Sequence, residues 1–126
     1  GQREGAKLPK VYYVNWFRKS DGGDFLWPGF GENGRVLKWI FERCEGTAKA
    51  IETPIGNLPD ENTLDLSGLD GVSREDMAAL LRVDIDGWLA ELPLIEEYYA
   101  QFGDRLPEPM SAELAAMKSR LEAAQS

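Results

Sequence analysis

Between Phe25 and Gly31 the chain reads Phe-Leu-Trp-Pro-Gly-Phe-Gly, and no long regular element can hold that string. Pro28 has no backbone donor, and Gly29 and Gly31 favour turns over helix or strand. Phe25, Trp27 and Phe30 are therefore committed to an irregular segment. Large rings on a loop need a cover. Either the protein's own core supplies it, or a flat ligand does. Nine of the thirteen aromatic residues fall between Tyr12 and Phe41, so the first third of the fold is organised around rings.

Charge sharpens that division. Residues 1–50 carry a net charge of +3 and residues 51–126 a net charge of −11, giving −8 over 126 residues. An anionic ligand would meet the aromatic third, while the acidic remainder argues against a nucleic-acid partner. There is no histidine, which removes the commonest general base and metal ligand. The one cysteine, Cys44, forms neither an internal disulfide nor a zinc cluster. No apolar run reaches the roughly 18 residues of a membrane helix. Gly1 to Lys10 offers neither an initiator Met nor a signal-peptide core. These features predict a soluble, cytoplasmic chain that starts at an internal cut.

Along the chain, residues 1–10 read as a polar lead-in. Lys10–Phe17 reads as a strand, with Val11, Tyr13, Asn15 and Phe17 on one face and Tyr12, Val14 and Trp16 on the other. Both faces are apolar, which predicts cover on both sides. Ser20–Gly23 is a turn. A helix starts near Asn33 or Gly34, with Val36, Leu37, Ile40, Phe41 and Cys44 as its apolar stripe and Gly46 as its stop. Cys44 is thereby assigned to the core. Residues 53–59 form a rigid extended or turning segment around two prolines. Ser73 caps a further helix, with Asp76 at its third position and Met77, Leu80 and Leu81 on its buried side. Asp84 or Asp86 starts the next helix, running to about Phe102, in which Pro93 predicts a kink or a split. Ser111 opens the last. The fold class expected is α+β and mainly helical, with short strands and an aromatic loop followed by about four helices. Residues 11–126 are expected to act as a single domain, with 11–58 carrying the pocket region and 59–126 a helical tail.

The stretch Asn15–Arg35 is where chemistry can reside. It sets Trp16, Phe17, Phe25, Trp27 and Phe30 around two glycine-containing loops. Two aromatic faces can hold a flat base, each stacked base being worth about 1–3 kcal/mol. Stacking alone does not distinguish bases, so an oriented polar group at the ring edge is required. Asn33 is the best candidate: its amide can donate to a carbonyl oxygen such as guanine O6, where adenine presents an amino group. A helix N-cap is the structural alternative for Asn33, and the two roles can coexist. Arg18, Lys19 and Arg35 lie close enough in sequence to attract phosphates, although such residues are usually solvated surface. No GxGxxG or GxxxxGK[ST] phosphate loop is present, and no carboxylate pair suggests an acid and a base. A stand-alone binding module for a peptide or sugar, or a structural domain with these rings buried, remains open on the residues alone.

The strings VNWFRK at 14–19, FLWPGFGEN at 25–33 and RVLKWIFER at 35–43 closely resemble the C-terminal part of the GTP-dependent phosphoenolpyruvate carboxykinases. TPIG at 53–56 and FGDRLP at 102–107 fit the same region. Gly34 stands where that family commonly has serine, and Asn57 where it has an aromatic. The resemblance implies a piece of a larger α/β enzyme domain that converts oxaloacetate and GTP to phosphoenolpyruvate, carbon dioxide and GDP. It implies a guanine pocket in which Phe17 and Phe30 sandwich the base and Phe25 packs against it. Asn33 hydrogen-bonds the base edge, helped by backbone groups from Trp27 to Gly29. It also implies Mn²⁺ or Mg²⁺ on ligands upstream of this segment, a dependence on that missing N-terminal part, and no catalytic or metal-binding residue here.

Overall fold

Asn15 decides how the aromatic segment runs. Its Oδ1 accepts the Phe17 N–H at 2.9 Å, an Asx turn that bends the backbone at Trp16 and Phe17. The computed structural model describes residues 4–125, and the first three residues of the lead-in lie outside them. The strand expected over Lys10–Phe17 does not form. No described segment ladders with it, and the nearest pairing is one isolated antiparallel bridge between Lys19 and Phe25. Nor is it covered on both sides. Tyr12 and Trp16 pack on the core, but Val11 and Tyr13 are 91% and 92% exposed. β-propensity reports a fit to a pleated, half-buried surface, and here no neighbouring strand supplies that surface.

Two compact units divide the chain. One takes in the described residues up to Ile51 together with Pro59–Leu81; the other takes in Glu52–Leu58 and the described residues from Arg82 onward. The core of the first is Trp27, Trp39, Leu64 and Met77. Tyr12 meets Trp39 edge-on at 6.2 Å, and the Trp39 indole N–H donates to the Lys49 carbonyl at 3.2 Å. Helix α1 (Asn33–Glu45) starts and stops where its signals place it, with Gly46 left-handed at φ 80°. Its buried centre is Trp39, flanked by half-buried Val36 and Ile40. Leu37, Phe41 and Cys44 of the expected stripe are exposed. Periodicity cannot choose between two apolar sides of one helix, and Cys44 is therefore not a core residue.

Helix α2 (Arg74–Leu81) begins with the reciprocal clasp read from its sequence. The Asp76 N–H donates to Ser73 Oγ at 3.0 Å, and the Ser73 N–H donates back to the Asp76 carboxylate at 2.8 Å. Met77, one turn in, is buried.

A two-residue turn at Pro54-Ile55 joins β1 (Ile51–Thr53) to β2 (Gly56–Leu58), the only sheet among the described residues. In the second unit α3 (Ile85–Ala100) packs on α4 (Glu108–Gln125), and Leu92 and Leu121 are the buried residues of the two helices. They run antiparallel, because Gln125 at the end of α4 donates to Asp86 at the start of α3 at 2.8 Å. Pro93 does not split α3. It sits on the exposed side, where water can satisfy the carbonyl that its missing N–H leaves open. Helix α4 starts at Glu108, three residues before Ser111, because Pro109 falls in the first turn, where no N–H is needed. The described residues are thus mainly helical, with one small sheet.

The Ser73 hydrogen bonds hold the Asp76 carboxyl below the ordinary carboxylate range. A depressed folded pKa contributes stability that is fully present above the unfolded value of about 3.9. That contribution is lost as pH falls through the lower folded value. Denaturant titrations from pH 6 to 2 should therefore show Asp76→Asn less stable than the parent at pH 6, with the difference closing at the acid end.

Candidate functional site

Residues 18–26 fold back on themselves around a tight turn. The Gly23 N–H donates to Ser20 O at 2.9 Å, Ser20 N–H to Asp24 O at 2.8 Å and Leu26 N–H to Arg18 O at 3.0 Å. This return places Phe25 beside Phe17, their ring centroids 6.3 Å apart and edge-on at 65°. The Lys19 ammonium lies 5.0 Å from the centroid of the Phe25 ring, a cation–π contact.

Leu26 and Trp27 then turn inward and are buried, and Pro28-Gly29 bring the chain back to the surface. Gly29 has φ 76° and ψ −161°, a region essentially closed to residues with a Cβ. Nothing lies within 4 Å of where a Cβ would be built. The backbone, not crowding, therefore demands glycine here. Phe30 follows at φ 48°, a left-handed conformation that costs a non-glycine residue about 1–3 kcal/mol. The bend ends in a 3₁₀ turn (Phe30–Glu32), closed by the Glu32 N–H on Gly29 O at 3.1 Å.

The outcome is a display of rings. Phe17, Phe25 and Phe30 are 73%, 58% and 95% exposed. In this chain none of the three is buried. Neither of two cavities in the first unit is lined by them; one lies against Trp16, Trp27 and Leu64, the other against Asn62, Ser73 and Arg74. The rings stand on an open surface.

Asn33 is the first residue of α1, behind Glu32 at the cap position, and makes no capping hydrogen bond through its side chain. The cap alternative for it therefore fails. Its Oδ1 instead accepts the Trp27 Nε1–H at 2.9 Å. An indole nitrogen can only donate, so chemistry decides which end of the carboxamide faces it. No described residue accepts from the Asn33 NH₂, which is left to donate elsewhere.

Two of the nearby cations serve the fold. Arg18 donates to the Leu80 carbonyl at 3.0 Å. Arg35 pairs with the Glu32 carboxylate and donates to the Asp65 carbonyl at 2.5 Å. Only Lys19 of the three stands among the rings. Among the described residues no three His, Cys, Asp or Glu side chains converge on a common point where a metal ion could sit. No described helix is long and apolar enough to cross a membrane. Sequence reasoning named Asn33, the rings, Trp27 and Lys19, but not the hydrogen bond from the Trp27 indole to Asn33 or the contact of Lys19 with the Phe25 ring. A Trp beside a Pro-Gly bend, with a single amide six residues on, was the available signal for the first.

Residues 1–120 match a family model described as the phosphoenolpyruvate carboxykinase C-terminal P-loop domain. Curated relatives include the phosphoenolpyruvate carboxykinase [GTP] of Neocallimastix frontalis, 57% identical over 94% of this chain and 19% of that protein. The enzyme of the same name from Arthrobacter sp. (strain FB24) is 54% identical over 96% of the chain and 20% of its own length. That of Treponema pallidum (strain Nichols) is 47% identical over 95% and 19%. The chain spans about a fifth of the length of the curated relatives it matches.

Because the Phe30 ring is almost wholly exposed, Phe30→Ala should change unfolding free energy by no more than about 0.5 kcal/mol. Chemical denaturation read by far-UV circular dichroism checks this. A core ring would lose about 3–5 kcal/mol.

Proposed function

The chain belongs to the GTP-dependent phosphoenolpyruvate carboxykinase family, and from that premise we propose that its aromatic loop is the guanine-reading half of the enzyme's nucleotide site. Phe17 and Phe30 clasp the two faces of the base, and Phe25 supports Phe17 from the side. The Asn33 NH₂ donates to guanine O6. Backbone groups from Trp27 to Gly29 flank the base, and Lys19 lends positive charge to the same rim. The whole enzyme turns oxaloacetate and GTP into phosphoenolpyruvate, carbon dioxide and GDP, with the phosphate loop and the metal ligands carried by its other four-fifths. A Mn²⁺ or Mg²⁺ ion would neutralise phosphate charge there.

One observation carries this reading: the carboxamide of Asn33 has its oxygen occupied and its donor end available. Guanine offers an acceptor at that edge and adenine a donor, so a fixed donor accepts one base and rejects the other. A peptide or sugar site is disfavoured by the family match rather than by this amide, which could also donate to a peptide carbonyl or a hydroxyl. The exposed rings supply affinity, about 1–3 kcal/mol per stacked base, and Asn33 supplies the choice. We assign the bond-breaking steps to the rest of the enzyme; this chain has no histidine, and no metal-ligand set gathers among the described residues.

Calorimetric titration of the 126-residue chain should show weak binding that favours GDP over ADP, and Asn33→Ala should remove the preference. Equal affinity of the parent chain for both nucleotides would sink Asn33 as the base reader. The same polypeptide, given oxaloacetate, GTP and Mn²⁺, should produce no phosphoenolpyruvate above the uncatalysed background. Measurable turnover would contradict the assignment of the chemistry to the rest of the enzyme.

A further inference from the structure

We propose that the buried Trp27 indole is a positioning residue for base selectivity, holding the Asn33 carboxamide in the orientation that reads guanine. This rests on the guanine reading of Asn33 above and extends it to a side chain that never touches the base. A carboxamide is nearly symmetric in shape: a half-turn about its last side-chain bond exchanges C=O and NH₂ with little steric change. The unflipped amide donates to a ring-edge carbonyl. The flipped amide accepts from a ring-edge amino group and would read adenine. Asn33 alone therefore carries no preference, and some neighbour must break the symmetry.

Trp27 does so. Its Nε1–H lies 2.9 Å from Asn33 Oδ1, and its side chain is 5% exposed within the first unit's core. Water cannot readily replace the amide oxygen as its partner. Flipping Asn33 would set two donors against each other and leave a buried N–H unsatisfied, which disfavours the flipped amide. The indole cannot turn away, because Trp39, Leu64 and Met77 share its core. The orientation of a half-buried surface amide is thus fixed from the interior.

The test compares GDP:ADP affinity ratios, measured by calorimetry on the full chain. Trp27→Phe keeps an aromatic ring and removes the N–H; its ratio should fall about tenfold, toward that of Asn33→Ala. Circular dichroism and the melting transition report whether it folds. Replacement of Trp27 by 3-benzothienylalanine, which keeps the bicyclic shape and lacks only the N–H, should give the same loss, and it decides the matter if Trp27→Phe does not fold. In the double variant with Asn33→Ala, the benzothienyl replacement should cause no further change, since both act through one amide. A benzothienyl variant that retains the parental ratio, while Asn33→Ala abolishes it, overturns the role of Trp27 and leaves the guanine reading intact. Retention of the ratio in Asn33→Ala overturns the guanine reading, and this proposal with it. Equal loss of GDP and ADP affinity with an unchanged ratio assigns Trp27 to packing alone and also overturns the proposal.

Discussion

The hydrogen bond from Trp27 to Asn33 joins two regions with opposite needs. Trp27 belongs to a core of Trp39, Leu64 and Met77, where a buried N–H must find an acceptor. Asn33 opens α1 at the edge of an exposed ring cluster. One contact of 2.9 Å satisfies the buried donor and orients the half-buried amide. The Pro28-Gly29 bend makes the contact possible, since it returns the chain from the core to the surface between the two residues. Satisfaction of the buried indole and orientation of the Asn33 amide therefore share one atom pair.

The loop departs from ordinary protein economy at two points. It shows water three phenylalanine rings, which favours association with something flat and apolar. It also holds Phe30 in a left-handed backbone conformation, which costs a non-glycine residue about 1–3 kcal/mol. Strain and exposure in one short segment are what a ligand clamp requires and what a structural loop avoids. The proposed occupant of that display is a purine with a carbonyl edge.

Much of this was legible in the residues, and the failures have physical causes. Helix α1, its left-handed stop at Gly46 and the Ser73–Asp76 clasp are local events, fixed by side chains within one turn of each other. Sequence spacing reads such events well. The Lys10–Phe17 strand was misread because pairing is non-local: β-branched and aromatic residues can be present while no neighbouring strand is, and the Asn15 turn interrupts the run. Cys44 was misplaced because α1 is apolar on two sides, and only packing reveals that Trp39 faces inward. At the site, the ring positions and Asn33 could be named from composition and resemblance. The orientation of Asn33 could not, because it depends on an indole six residues away that the chain reaches by diving through its core.

Gly29 has a wider consequence. Its dihedral angles are open to the one achiral residue and closed to the other nineteen, although there is room around it for a side chain. A redesign that exchanges the rings to capture a different aromatic guest could rewrite Phe17, Phe25 and Phe30 freely and still keep the scaffold. It would have to inherit this hinge unaltered, for the bend is written in handedness rather than in contacts.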